Sequence, residues 1–165
     1  MKSVTLTFKR SELLYDAANY SFVEGDIMQD DEHARHQVFD ITAKGNIDRV
    51  TRVLNLAHVE CVEMLFPYSK EVIPDGQETL NDVLSSPEEY FIVLNLPDDF
   101  SLTTVKLLQT MIHEYLVCRV LSDWMSITNP NSQAHWEEKF IELKTKIQTA
   151  IASRMGKIRR KCKPF

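Results

Sequence analysis

Two histidines placed three residues apart, His33 and His36, stand beside the acidic residues Asp30 and Glu32. On a helix this spacing puts both imidazoles near one face, and imidazole with carboxylate oxygen is a ligand set that divalent metals accept. Two histidines do not complete a zinc site, which takes three or four protein ligands. We interpret the cluster as solvated or helix-capping side chains. A metal-dependent enzyme built on it is the weakest of three functional hypotheses.

Signature motifs of several common enzyme classes are absent from the sequence. His113-Glu114 begins like a zincin motif, but the motif requires a second histidine where the chain has Val117. Di-iron bundles need a glutamate three residues before a histidine, and none of the five histidines has one. The four glycines are too far apart to form a glycine-rich phosphate loop. These patterns predict a protein that is not an enzyme and that carries no cofactor.

The C-terminal residues carry the strongest charge signal. From Leu143 to Phe165 there are eight basic residues and no acidic one, so removing their charge from the net charge of −5 leaves −13 on residues 1–142. Such a basic run favours an anionic partner, either phosphate or an acidic neighbouring subunit. The alternative is that it complements a helix dipole and keeps a frayed end soluble. The candidate contact residues are Lys157, Arg159, Arg160, Lys161 and Lys163.

Two long helices are predicted for the C-terminal third, and the rest of the chain is organised around them. Residues 101–127 are apolar on most sides of a helix, which is typical of the middle of a bundle, and their charged residues argue against a membrane span. In the turn that follows, Pro130 is expected to end the first helix, and Asn131 or Ser132 to cap the second. The short connection makes the helices antiparallel. The second helix repeats apolar residues at Trp136, Phe140, Leu143, Ile147, Ile151 and Met155.

Three shorter helices are predicted in the first part of the chain. Ser11 is expected to cap the first, which carries Phe22 on its apolar side and stops around Gly25. The second helix follows the acidic residues 30–32, whose charge favours a helix N-terminus. Asn46 is expected to cap the third, and Ser101 the long fourth helix. Residues 68–88 are predicted to form a loop region.

Two segments have the composition of strands. Residues 4–8 alternate large apolar residues with threonine, and residues 90–96 are the best strand by content. A lone strand is not stable. The second strand must therefore pair with the first, with a segment near Glu71 to Ile73, or with a strand of another subunit.

The predicted fold class is mainly α: a helical bundle of four to five helices around a long C-terminal helical hairpin, with a small β element formed by strands near 4–8 and 90–96. A chain of 165 residues is the size of one domain, which we place at 1–155, followed by a basic tail at 156–165. The three cysteines lack metal-ligand spacing, and the first residues contain no secretory signal. Both observations indicate reduced thiols in a cytosolic compartment.

The segments Val4–Asp16 and Asn46–Leu54 resemble small proteins encoded in phage and prophage structural gene clusters. The C-terminal third is similar to the last helices of head-tail connector, adaptor or tail-completion proteins of tailed bacteriophages. This resemblance implies a structural protein of the virion, made in the host cytoplasm, which forms a multi-copy ring with other virion proteins between portal and tail. The residues that carry the C-terminal similarity are Tyr115, Leu121, Trp124, Pro130, Trp136, Arg154, Arg159, Arg160 and Pro164.

Two functional hypotheses therefore lead. The first is a non-enzymatic assembly protein that acts through contacts between subunits, because an acidic body and a basic end can associate head to tail. The alternative is a small nucleic-acid-binding protein that uses the basic tail. The negative charge of residues 1–142 argues against wrapping nucleic acid broadly, so any DNA contact is expected to be non-specific and confined to the tail.

Overall fold

A computed structural model describes residues 1–69 and 86–153, and it confirms the predicted fold class: a mainly helical chain with a small antiparallel sheet. Residues 70–85 of the predicted loop at 68–88 lie outside the described residues, and so does the predicted domain end at residue 155. The described elements are β1 (Lys2–Lys9), α1 (Arg10–Ile27), α2 (Glu32–Phe39), a 3-10 turn (Asp40–Thr42), α3 (Ile47–Met64), β2 (Glu89–Leu96), α4 (Leu102–Thr128) and α5 (Pro130–Ser153).

The two strands pair with each other. They are antiparallel, with Lys2 opposite Leu96 and Lys9 opposite Glu89. Of the pairings that the sequence left open, the one between the two predicted strands forms, and the segment Glu71 to Ile73 lies outside the described residues. Alternate residues of both strands point into the core, as expected for a sheet with one covered face. The buried side chains are Leu6, Phe8, Tyr90, Ile92, Leu94 and Leu96.

Helix α4 is the centre of the fold, and α5 packs antiparallel on it. The rings of Tyr115 and Phe140 meet edge to face with their centroids 5.9 Å apart. Towards the end of α5, Ile147 and Ile151 are also buried. The predicted apolar face of α4 is buried throughout, which confirms its central position. Its residues are Val105, Leu108, Ile112, Tyr115, Leu116 and Val120.

The turn between α4 and α5 is shorter than predicted. Only Asn129 separates the two helices, and Pro130 is the first residue of α5. Proline suits the first position of a helix, because that position needs no backbone N–H donor and has the φ angle that the ring imposes. The expectation that Asn131 or Ser132 caps α5 was wrong. The Ser132 hydroxyl instead donates to the Asn129 carbonyl at 3.2 Å.

Of the other predicted N-caps, Asn46 and Ser101 do occupy the N-cap positions of α3 and α4, whereas Ser11 does not occupy that of α1. Ser11 lies inside α1, because the chain passes directly from β1 into the helix at Arg10. Neither Asn46 nor Ser101 makes a side-chain cap hydrogen bond, and the Asn46 amide donates to the Asp40 carbonyl instead. In α2, Asp31 accepts the backbone N–H of Ala34 at 2.9 Å, so the predicted acidic run does begin that helix.

Helix α1 continues through Gly25 to Ile27, past its predicted end. The reason is a side-chain cap from α2. The Arg35 guanidinium donates to the carbonyls of Gly25 and Asp26 at 3.1 and 3.2 Å, which satisfies carbonyls that the end of a helix leaves unpaired. The two helices are therefore joined at the C-terminal end of α1.

Candidate functional site

A histidine–aspartate pair links α1 to α4 at the surface. His113 Nε2 donates to Asp16 Oδ2 at 2.5 Å, and both side chains are partly exposed. Two adjoining shallow grooves of about 300 and 380 Å³ meet at Glu12 and His113. The hydrogen bond fixes which ring nitrogen of His113 faces the carboxylate.

Sequence reasoning missed this pair. The sequence motifs relate His113 to nearby positions of its own helix, whereas Asp16 lies 97 positions away. Glu114 has other partners: it accepts the Tyr20 hydroxyl at 3.1 Å and lies beside the Cys118 thiol. Burial, followed by the Glu114 carboxylate, raises the pKa of Cys118 to about 12. That thiol stays protonated at neutral pH, so it is a poor nucleophile.

His33 and His36 lie on the exposed side of α2 and contact separate partners. His36 Nε2 is 3.5 Å from Glu32 Oε1, and His33 Nε2 is 3.2 Å from the Gln37 amide nitrogen. Across residues 1–69 and 86–153, no group of three or more histidine, cysteine, aspartate or glutamate side chains is arranged to hold a metal ion. The structure does not bring His33 and His36 together on a common ligand.

The outer side of α1 carries three exposed apolar residues close to its C-terminal end. Phe22, Val23 and Ile27 are 58%, 59% and 72% exposed, and we call them the α1 patch. The prediction that Phe22 lies on the buried side of this helix was wrong. Its ring stacks on Phe39 of α2, with centroids 5.2 Å apart and an interplanar angle of 29°. Within the α1 patch, Phe22 is thus supported by a contact with the second helix.

Acidic residues surround the α1 patch in the sequence. Between Arg10 and Arg35 the chain has seven acidic residues and no lysine or arginine. Asp26 pairs with Arg35 at 3.4 Å, but within the described chain Asp30 forms no ion pair and Asp31 serves only as a backbone cap. The patch therefore combines apolar side chains with the negative charge of Asp30 and Asp31, which pair with no lysine or arginine in the part of the chain that the structure describes, whereas Arg35 neutralises Asp26.

Glu24 fixes the position of the α1 patch in the molecule. Its carboxylate accepts the Asn129 amide at 3.0 Å and the Trp136 indole N–H at 2.8 Å. Tyr20 adds an edge-to-face contact with Trp136, at 5.4 Å between ring centroids. These contacts hold the C-terminal end of α1 against the turn between α4 and α5. The patch consequently lies at the turn end of the helical hairpin, and Ser153 lies at the opposite end.

The predicted phosphate or partner contacts lie beyond Ser153, outside the described residues. They are Lys157, Arg159, Arg160, Lys161 and Lys163.

No protein-family model, curated protein or solved structure matches the chain. None of the helices within the described ranges has the length and apolar character that crossing a membrane requires.

Proposed function

We propose that this protein is a non-enzymatic structural protein that assembles through contacts between its subunits, and that it serves at the head-tail junction of a phage or prophage virion. The observation that carries the assembly role is the α1 patch. Single exposed apolar residues are common on protein surfaces, whereas contiguous exposed apolar patches mark interaction sites. The virion setting comes from the sequence resemblance.

The Asp16–His113 pair has a structural role in this proposal. It joins α1 to α4 on the side of α1 that faces the core helix, and so helps to hold the helix that presents the α1 patch. The contacts of Glu24 with Asn129 and Trp136 hold the same helix about two turns after Asp16. Together the two sets of contacts fix the direction in which the patch faces.

The mass of the protein in solution tests the proposal. We expect sedimentation velocity to show species heavier than the monomer that increase with protein concentration, alone or with portal or tail proteins from the same gene cluster. Replacing Phe22 and Val23 by serine should shift the population to monomer. The matched control replaces Leu56 and Val59, which are 53% and 63% exposed on α3, and should leave assembly unchanged. A protein that stays monomeric at every concentration and with each partner would contradict the proposal.

A second candidate function is non-specific binding of nucleic acid by the basic tail. It is supported by the five basic residues in the seven positions from Lys157 to Lys163. The logarithm of DNA affinity should fall with the logarithm of salt concentration, by roughly 0.9 for each phosphate contacted. Neutralising Arg159, Arg160, Lys161 and Lys163 should flatten this slope. Absence of binding at low salt would rule out this candidate.

A further inference from the structure

The charge around the α1 patch and its place on the hairpin indicate which partner segment binds it. We infer that the patch receives the basic segment 154–165 of a second copy of this chain, in a head-to-tail contact. This inference rests on the proposed assembly function and names the partner surface for it.

The first support is chemical complementarity. Beside the α1 patch, Asp30, Asp31 and Glu32 are exposed and pair with no lysine or arginine within the described part of the chain. Segment 154–165 has basic residues interleaved with the apolar residues Met155, Ile158 and Phe165. Apolar side chains can cover the patch while the basic ones meet the carboxylates. Opposite potentials of this kind favour association and fix its orientation.

The second support is the distance between the α1 patch and Ser153, where the described part of α5 ends. Trp136, which contacts Glu24 beside the patch, is 17 residues before Ser153 in α5, and at 1.5 Å per residue this amounts to about 26 Å. Even fully extended, the chain from Ser153 reaches about 14 Å at Lys157 and about 28 Å at Lys161. Most of the basic segment therefore cannot reach the patch of its own chain. A neighbouring copy placed end to end brings its segment there directly.

The third support concerns the competing arrangement, in which two α1 patches pair with each other. That symmetric contact would bring Asp30, Asp31 and Glu32 of one copy against the same residues of the other. Facing like charges oppose association. A head-to-tail contact has no such opposition, and because each copy offers both surfaces it repeats into a ring when the rotation closes.

The free energy of association also favours a contact that combines apolar and charged side chains. Phe22, Val23 and Ile27 are already partly covered, so burying the rest of their surface gives only a limited hydrophobic gain. Association must first offset the freedom of motion that two separate chains lose. The α1 patch alone is thus too weak, and the charged contacts of a second segment supply a further favourable contribution.

Mixing two defective variants tests the inference. The patch variant carries Asp30→Lys and Glu32→Lys; both residues are exposed, and Asp31 is kept because it caps α2. The tail variant has the five basic residues from Lys157 to Lys163 changed to glutamine. Circular dichroism should show that both variants fold. Each alone should self-associate at least about tenfold more weakly than the unmodified chain.

The mixture should give a 1:1 dimer, because the intact tail of one variant binds the intact patch of the other and the remaining surfaces cannot extend the chain. If the tail variant assembles as well as the unmodified chain, or if the mixture stays monomeric, the inference is wrong while the assembly function stands. An unmodified chain that never self-associates, even with portal or tail proteins, would overturn both.

Discussion

At the scale of single residues, the polar side chains inside the fold have specific partners. His58 of α3 is 6% exposed, and its Nε2 donates to the Phe91 carbonyl of β2 at 2.8 Å. Burial lowers the pKa of His58, and the hydrogen bond to the carbonyl, which favours the protonated ring, opposes this only in part. The folded protein therefore holds His58 neutral, as a link between the helix and the sheet.

This link makes folding stability depend on pH. Below about 6.5, the ordinary pKa of histidine, the unfolded chain binds a proton at His58 that the folded chain does not. Stability due to this group is complete above that pH and is lost as the pH falls towards the lowered folded value, by at most about 1.4 kcal/mol per pH unit. Urea unfolding between pH 7.5 and 5.5 measures it. His58→Gln, which keeps a donor for Phe91, should reduce the slope; an unchanged slope would show that another group is responsible.

The Asp16–His113 pair should contribute modestly to stability. The two side chains are 39% and 26% exposed, so water screens their interaction, and we expect a coupling of about 1 kcal/mol. The measurement is a double-mutant cycle with Asp16→Asn and His113→Gln, followed by chemical unfolding. A coupling near zero would mean that the pair does not help to hold α1 against α4.

The sequence could identify His113 as a polar interruption of an apolar helix but could not identify its partner. Spacing along one helix says nothing about which residue of another helix lies opposite. That choice depends on how α1 crosses α4, which the packing of both helices decides. The same limit applies to Glu24, whose contacts with Asn129 and Trp136 span more than 100 positions.

At the scale of elements, α1 and α2 approach closely at a glycine. A Cβ atom added at Gly25 would overlap Cε1 and Cδ1 of Phe39 and would lie 3.2 Å from the Arg35 carbonyl. This close approach explains why a residue that usually ends helices is retained inside one. It also places the Phe39 ring where it supports Phe22 of the α1 patch.

Gly25→Ala should therefore destabilise the fold. Alanine favours a helix over glycine by about 1 kcal/mol, but overlap in a packed contact costs about 1–3 kcal/mol, so we expect a net loss of about 1 kcal/mol. Thermal unfolding compares it with Gly45→Ala, where nothing lies within 4 Å and the change should be small. Adding Phe39→Leu should recover part of the loss. If Gly25→Ala were as stable as Gly45→Ala, the short distance between Gly25 and Phe39 would not make a side chain at position 25 unfavourable.

Helices and strands could be predicted from the sequence because the positions of apolar residues follow which side chains are buried. The apolar sides of α4, the alternation of residues 4–8 and the apolar content of residues 90–96 each correspond to buried positions, and the structure confirms these three elements. Helix ends were harder to predict, since they depend on what the chain does next. The strand β1 leads straight into α1, which puts Ser11 within the helix, and Arg35 from a different helix extends α1 past Gly25.

At the scale of the whole molecule, charge is sorted along the chain, and the sequence showed this before the structure did. It could not show that the acidic residues after Arg10 accompany exposed apolar ones. A helical wheel assigns Phe22 to a buried face or an interaction face equally well, and only the packed position of α1 distinguishes them. The proposal that the basic segment of one copy binds the α1 patch of another also needed the direction of the hairpin, which the sequence does not show.

Head-to-tail assembly is tested most directly by cross-linking from the α1 patch. A photo-reactive amino acid at position 23 is placed in a 1:1 mixture of ordinary and ¹⁵N-labelled chains, and mass spectrometry identifies the cross-linked peptides. We expect cross-links from position 23 to segment 154–165, with mixed-isotope pairs present, because the partner segment belongs to another copy. Cross-links confined to single-isotope pairs, or cross-links that omit this segment, would contradict head-to-tail assembly.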